Sequence, residues 1–461
     1  FSNEQIEYAA EDAIAAAVLY PLQVQQALKI GALNTLVSVE MPWTVTNARL
    51  EWSGFHVDAV KKQEVRDLVE SNMPILEDQL AEMGIENARS HKQLSDFFSQ
   101  QGLIDHFMRD GGVTFDRDQL KRCQHLHPSV PLMRKLKRAG DLIADKIMGD
   151  DLVGADGRFH PQYRHLGTDT GRQTSQYPNI MGLDHLLRTL VVPQDGCGIG
   201  EADWCQEEVG IAAAIYGDRN LISMFNTGDV YSAMAQKFFQ NTLTEEEQRL
   251  SGPEFKIRYP DYRKKMKVCT LGMIYGITPH GLARKLGTDV VGASNMKEQF
   301  MDMFPDLKEG LRQTAILGQY RGYATALNNV RRYRGTNGRL SSWEKNWMAN
   351  HPVQGSAAVI FKVAGNRLDR LYRSYNANLI IPLHDSFIFE APLDCLEKVA
   401  SLTETVMIQA IQEFFPRLKP RVDINIKHPE CWNKDGNIHE LTEWIDEWTH
   451  YTQSLETTVG S

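Results

Sequence analysis

Two aspartates stand out by where they sit. Asp203 closes the apolar run in GIGEADWCQEEVG, just ahead of a helical stretch, and Asp385 lies in NLIIPLHDSFIFEAP between two runs of β-branched and aromatic residues. Such runs read as strands. His384, Asp385 and Ser386 are then the tip of a tight hairpin, and Asp203 ends a strand that can join the same sheet. A carboxylate among apolar strands needs a partner, because burying a charge alone is costly. A salt bridge or a divalent cation would serve. Two carboxylates so held can bind a pair of Mg²⁺ ions about 3.5–4 Å apart, the arrangement used for in-line phosphoryl transfer. Lone aspartates are more often caps or turn residues, so the pair alone decides nothing.

A second pattern adds weight. In YRKKMKVCTLGMIYGIT, Arg263, Lys267, Leu271 and Tyr275 recur every four residues, along one slowly winding stripe of a helix. Two cations come first, then an apolar residue, then an aromatic ring. A nucleoside triphosphate presents the complementary order, phosphates at one end and a flat base at the other. An amphipathic helix with a charged end has the same pattern. Gly272 and Gly276 either let a substrate or template approach closely, or serve as packing contacts and a C-cap.

Other elements must position these residues. Val57 to about Gly102 is polar with helical periodicity, and PLMRKLKRAGDLIADKIM forms a second helical stretch. Gly157 to about Asp203 is irregular and then strand-like. Helical stretches follow over Val209–Lys237 and Tyr262–Lys285, and a helix over about Trp343–Tyr372 leads into the hairpin. Helical lobes around a small sheet built from distant segments make an α+β layout. The length of 461 residues allows two to four packed units, and 42% apolar with 24% charged residues is an ordinary globular composition. No apolar run approaches the roughly 18 residues of a membrane span. Six cysteines without a C-x-x-C pair argue for reduced thiols and against structural zinc. The net charge of −9 rules out a uniformly basic nucleic-acid binder. FKIRYPDYRKKMK, VRRYR and RKLKR are nevertheless basic and suit phosphate contacts, or are solvated helix faces. The chain begins with Phe1 rather than Met, which suggests a fragment.

The three chemical pieces resemble motifs A, B and C of the family A (DNA polymerase I-like) DNA polymerases: DWCQEE (Asp203 to Glu208), RKKMKVCTLGMIYG (Arg263 to Gly276) and HDS (His384 to Ser386). Flanking pieces are similar too, namely TGRQTSQYPN, NHPVQGSAA, RFHPQYRH, EMPW, GFHVD and SHKQL, so the resemblance covers nearly the whole chain. It implies a right-hand polymerase fold, with an antiparallel palm sheet and helical fingers and thumb. It also implies a template-directed DNA polymerase that extends a primer with dNTPs and releases pyrophosphate. Asp203 and Asp385 would bind two Mg²⁺ ions, with Mn²⁺ as a substitute. Arg263 and Lys267 would clamp the triphosphate, Lys267 also as a proton donor. Leu271, Tyr275 and Gln206 would join the nucleotide contacts, and Glu208 would exclude a ribose 2′-hydroxyl. Arg172, Asn350 and Gln354 would follow the primer–template minor groove, and His384 would position the primer end. The implied partners are primer–template DNA and dNTPs, with accessory replication proteins possible for a monomer in bacterial or phage-infected cytoplasm.

The resemblance also implies a domain plan. Residues 1–22 would be the last helix of a 3′–5′ exonuclease domain, with Tyr8 and Asp12 at Y-x-x-x-D spacing, and the upstream acidic motifs are absent. Residues 23–154 would form the linker and thumb, 155–206 and 347–435 the palm, 207–346 the fingers, and 436–461 an acidic helical extension. Several positions depart from the family. Ser386 replaces Glu, Leu271 stands for Phe or Tyr, Thr270 for Asn, Gly210 for Arg, Tyr231 for His and Asn346 for Arg, which suggests a divergent, viral branch. HDS also occurs in single-subunit RNA polymerases, the nearest rival. A non-catalytic primer–template binding protein is the rival from another class.

Overall fold

The computed structural model describes residues 2–109, 111–433, 440–441 and 443–448. Contacts divide the chain into two compact units. One comprises the residues up to Trp52, Tyr163–Thr174 and Gly200–Ile426; the other comprises Ser53–Gln162, Ser175–Ile199 and the described residues from Lys427 onward. The α+β expectation holds, with many helices and few, short strands.

The first unit is organised on a four-stranded sheet. In chain order its strands are β1 (Cys197–Trp204), β2 (Asn378–Leu383), β3 (Ser386–Pro392) and β4 (Val422–Asn425), and in space they lie β2-β3-β1-β4. β2 and β3 are the expected antiparallel hairpin, but its tip is shorter than expected: Ser386 pairs with Leu383 as the buried first residue of β3, leaving only His384 and Asp385 in the turn. β4 runs antiparallel to β1, with Asp423 opposite Asp203. Phe387, Ile388 and Phe389 are all fully buried, which is why β3 reads as a continuous apolar run rather than an alternating one. Phe387 stacks on Phe361 with ring centroids 4.2 Å apart, and Trp204 meets Phe387 edge-on at 6.0 Å. The Trp204 indole N–H donates to the Met407 carbonyl at 3.1 Å, so the residue after Asp203 is pinned by both ring and hydrogen bond.

Four helices matter for the site: α1 (Glu207–Tyr216), α2 (Pro260–Ile274), α3 (Ser342–Tyr372) and α4 (Leu396–Phe414). α3 and α4 pack on each other, α3 against β2 and α4 against β3. α3 starts in a capping box of Ser341 and Glu344, and Glu344 also accepts from Arg334 Nε at 2.9 Å. The helical stretch expected from Val209 is three helices in fact. The first ends at Gly217 in the left-handed region (φ 66°), and Asp218 then caps the next. α2 ends at Ile274 because Tyr275 is its cap residue and Gly276 takes φ 70°. A second helix, Pro279–Leu286, completes that stretch.

In the second unit the helices Ala59–Glu82 and Ser129–Ile143 pack together over a core containing Phe98, Phe107 and Phe115. Of the expected extension 436–461, residues 440–441 and 443–448 are helical and the remainder lies outside the described residues. Trp448 joins the same core, and Lys135 pairs with Glu447 at 3.3 Å. Tyr8 and Asp12 lie on the helix Asn3–Ile30 of the first unit.

Candidate active site

β1 and β3 are neighbours, and the Trp204 N–H donates to the Asp385 carbonyl at 3.1 Å. That bond ties the hairpin tip to the end of β1. Asp203 is half-buried and Asp385 exposed, with His384 beside it at φ 50°, a left-handed conformation set by the tight turn. Both aspartates line a cleft of about 930 Å³. Arg263, Lys267 and Leu271 of α2 line the same cleft, and Lys256 and Arg421 add further positive charge, so the two aspartates share one cavity with several cations.

Arg263 and Lys267 are held differently. Lys267 is exposed and has no ion pair among the described residues. Arg263 is gripped by Asp229, its Nε 2.5 Å from Oδ2 and its Nη2 3.1 Å from Oδ1, and lies over the Tyr231 ring at 5.4 Å. Asp229 also accepts from the Ser232 hydroxyl at 2.7 Å and from Gln206 Nε2 at 2.9 Å. Burial pushes the Asp229 carboxyl upward, but these hydrogen bonds, led by Arg263, outweigh it and hold the group below its ordinary range. Gln206 has φ 58° at the start of α1 and closes the loop by accepting from the Val230 N–H at 3.1 Å.

Glu208 is ion-paired with Arg172, which joins two residues that the sequence resemblance gives separate duties. Asn350 and Gln354 lie one turn apart on α3, both half-buried, and Asn350 Oδ1 is buried without a hydrogen-bond partner. They do not line the cleft, and neither do Arg172, His384 or Tyr275. The Ser386 hydroxyl donates to the Leu383 carbonyl at 3.2 Å, within the hairpin. Of the two glycines at this end of the stripe, Gly276 lies just past α2 and helps to end it, while Gly272 is a packing contact within α2 whose added Cβ would come 2.8 Å from Ile277.

Three cleft carboxylates escaped the sequence reading. Asp229 looks like a helix cap and occupies the N-cap position of Val230–Phe238, but its carboxylate makes no cap hydrogen bond and goes to Arg263, Ser232 and Gln206. Asp423 sits in RVDINIK, whose alternation reads as a strand, but its register opposite Asp203 is a product of the fold. Glu207 is the first residue of α1 and only 3% exposed; its Oε1 has no hydrogen-bond partner. Burial, and then the negative charge of Asp385, push its carboxyl well above the usual range, against the pull of Arg172. No group of three or more His, Cys, Asp or Glu among the described residues is gathered closely enough to hold a metal ion directly. No described helix is long and apolar enough to cross a membrane.

Residues 60–434 match the sequence profile of DNA polymerase family A. The chain is 26% identical to DNA polymerase I of Caldicellulosiruptor bescii over 455 residues, covering 94% of this chain and 52% of that protein. It is 27% identical to DNA polymerase I of Chloroflexus aurantiacus, covering 92% and 47%. The chain therefore spans about half the length of the curated relatives it matches. Its fold matches the POL domain of Pol1 from M. smegmatis, solved in complex with DNA primer-template and dNTP. The TM-score is 0.80 at 24% identity, over 91% of this chain and 74% of that one.

Proposed function

The chain belongs to DNA polymerase family A, and from that premise we propose that it is a template-directed DNA polymerase. It extends a primer 3′-hydroxyl with deoxynucleoside triphosphates and releases pyrophosphate. The observation that carries this reading is the single cleft lined by Asp203, Asp385, Arg263 and Lys267. Carboxylates that can hold divalent cations, sharing a cleft with Arg263 and Lys267, suit a triphosphate whose charge must be met by more than one cationic group.

The donor set fits hard divalent cations, since oxygen ligands from carboxylates are what Mg²⁺ takes. The partnerless, buried Glu207 Oε1 in the same cleft adds acceptor capacity to that set. Asp203 and Asp385 would hold two Mg²⁺ ions, with Mn²⁺ as a substitute. Cations bound there would lower the pKa of the attacking hydroxyl and offset charge on the leaving pyrophosphate. The other steps fall to side chains. Lys267, free of an ion pair among the described residues, clamps the triphosphate and donates a proton to the departing pyrophosphate. Arg263 adds a second phosphate contact from the position fixed by Asp229. Leu271 continues the stripe toward the sugar, Tyr275, just past the end of α2, serves the base, and Gln206 joins the nucleotide contacts from the loop that it closes with Asp229 and Val230. Glu208, braced by Arg172, stands against a ribose 2′-hydroxyl. Asn350, Gln354 and Arg172 follow the minor groove, where correct pairs present similar acceptors, and His384 positions the primer end. The thumb, fingers, palm and exonuclease-remnant assignments belong to the same reading, as do a monomeric state and residence in bacterial or phage-infected cytoplasm.

Primer extension with each nucleotide supplied singly, with and without Mg²⁺, tests this. Asp385→Ala and Asp203→Ala should each slow incorporation by at least about a thousandfold, roughly 4 kcal/mol of barrier. Preferred incorporation of ribonucleotides would favour a single-subunit RNA polymerase. Undiminished extension by Asp385→Ala would leave only a primer–template binding protein.

A further inference from the structure

The buried face of α1 is apolar apart from its first residue. Val209, Ile211, Ala212 and Ala213 are completely buried, and Glu207 is drawn in beside them with its Oε1 unpartnered. An unpaired carboxyl in such a position destabilises the fold, more when ionised than when neutral. The surroundings do not offset the cost. The charged groups nearest in influence are Asp385, Arg172, Glu208 and Asp203, three of them acidic, and Arg172 is already engaged by Glu208. An apolar side chain would avoid that cost, so packing does not account for the carboxyl. It shares the cleft with Asp203 and Asp385. On the hairpin side Ser386 carries no carboxyl, and its hydroxyl proton goes to the Leu383 carbonyl.

We infer that Glu207 is the third acidic group of the divalent-cation site, acting on the hydration shell of a cation held by Asp203 and Asp385. The inference rests on the reading of those two aspartates as cation ligands. An outer-shell role agrees with the absence, among the described residues, of a three-carboxyl cage able to ligate a metal directly. Groups that hold a metal's bound water typically change its affinity by 10–100-fold when removed.

The test is Mn²⁺ binding to the protein without DNA or nucleotide, read by the electron paramagnetic resonance of free Mn²⁺, alongside thermal unfolding with and without Mn²⁺. Glu207→Gln keeps the shape, and Glu207→Ile fills the site with an apolar side chain. Both should weaken Mn²⁺ binding about tenfold or more. Both should also raise Tm in chelator and shrink the Tm gain on adding Mn²⁺. Wild-type Mn²⁺ affinity in both variants would overturn the inference, and so would a fall of Tm in chelator in both, which marks a structural carboxyl. Asp385→Asn separates the two levels. Loss of Mn²⁺ binding there with none in Glu207→Gln removes only the role of Glu207, whereas wild-type binding in Asp385→Asn removes the cation site itself.

Discussion

Glu40 and Glu207 both carry a carboxyl into the interior of the first unit, and their surroundings could hardly differ more. Glu40 accepts from Lys362 Nζ at 2.7 Å and from His165 Nε2 at 2.5 Å, while Lys362 is itself 2% exposed. Burial pushes the Glu40 carboxyl upward, but the His165 hydrogen bond and the Lys362 charge outweigh it and hold the group below the usual range. Glu207 has a buried oxygen with no partner and acidic neighbours, and its carboxyl is held above that range. Where the chain supplies partners to a buried charge, the charge serves the scaffold. Where it withholds them, the group is left to meet something that arrives from outside.

The contrast breaks most visibly at Glu40. Glu40→Leu leaves Lys362 buried without its counter-charge and should cost about 3–5 kcal/mol in a urea unfolding curve. A loss no larger than that of an exposed ion pair would erase the distinction between the two glutamates. His351 lies between the extremes: its Nε2 donates to the Val330 carbonyl at 3.3 Å, while Nδ1 is buried without a partner. Burial pushes its imidazole down to about 4. The folded state therefore keeps the ring neutral while the unfolded chain takes up a proton near 6.5. Stability from this group is complete above about pH 6.5 and is lost as pH falls toward about 4, by on the order of 3 kcal/mol. Unfolding curves at pH 7, 5.5 and 4.5 should decline less steeply for His351→Gln. The smallest effect belongs to a charge that is satisfied yet stands in the cleft. Asp229→Asn loosens Arg263 and should raise KM for dNTP about tenfold, close to 1.4 kcal/mol. kcat and Tm should stay near wild type, and a large fall in Tm instead would class Asp229 with Glu40.

The parts of the site legible in the sequence are those fixed by local periodicity. The hairpin around Asp385 follows from two apolar runs flanking a polar pair, and the Arg263–Leu271 stripe follows from the helical repeat. Tyr275 fits that repeat by count but comes after the last helical residue, because Gly276 ends the helix one step later. The rest depends on contacts between distant segments. A glutamate at a helix start is normally solvated and welcomed by the helix dipole, so no local signal separates Glu207 from Glu208. Burial divides them only once α1 packs against α3, which lies far along the chain. Likewise the Arg172–Glu208 pair joins a loop to a helix, and nothing in either segment announces the other. The break at Gly217 was readable as a possible C-cap, yet its place within an apolar helical run, between Ala213 and Leu221, masked it.

The strand order β2-β3-β1-β4 sets a schedule as well as a shape. Asp203 is synthesised long before Asp385, and the strand that flanks Asp203 on its other side, β4, comes later still. Loop closure across such separations is slow compared with the local helices on either side. A chain emerging from a ribosome would carry Arg263 and Lys267 on α2 well before it carried Asp385. The cleft lined by Asp203, Asp385 and Asp423 is therefore complete only once β4, the last strand of the sheet, is in place.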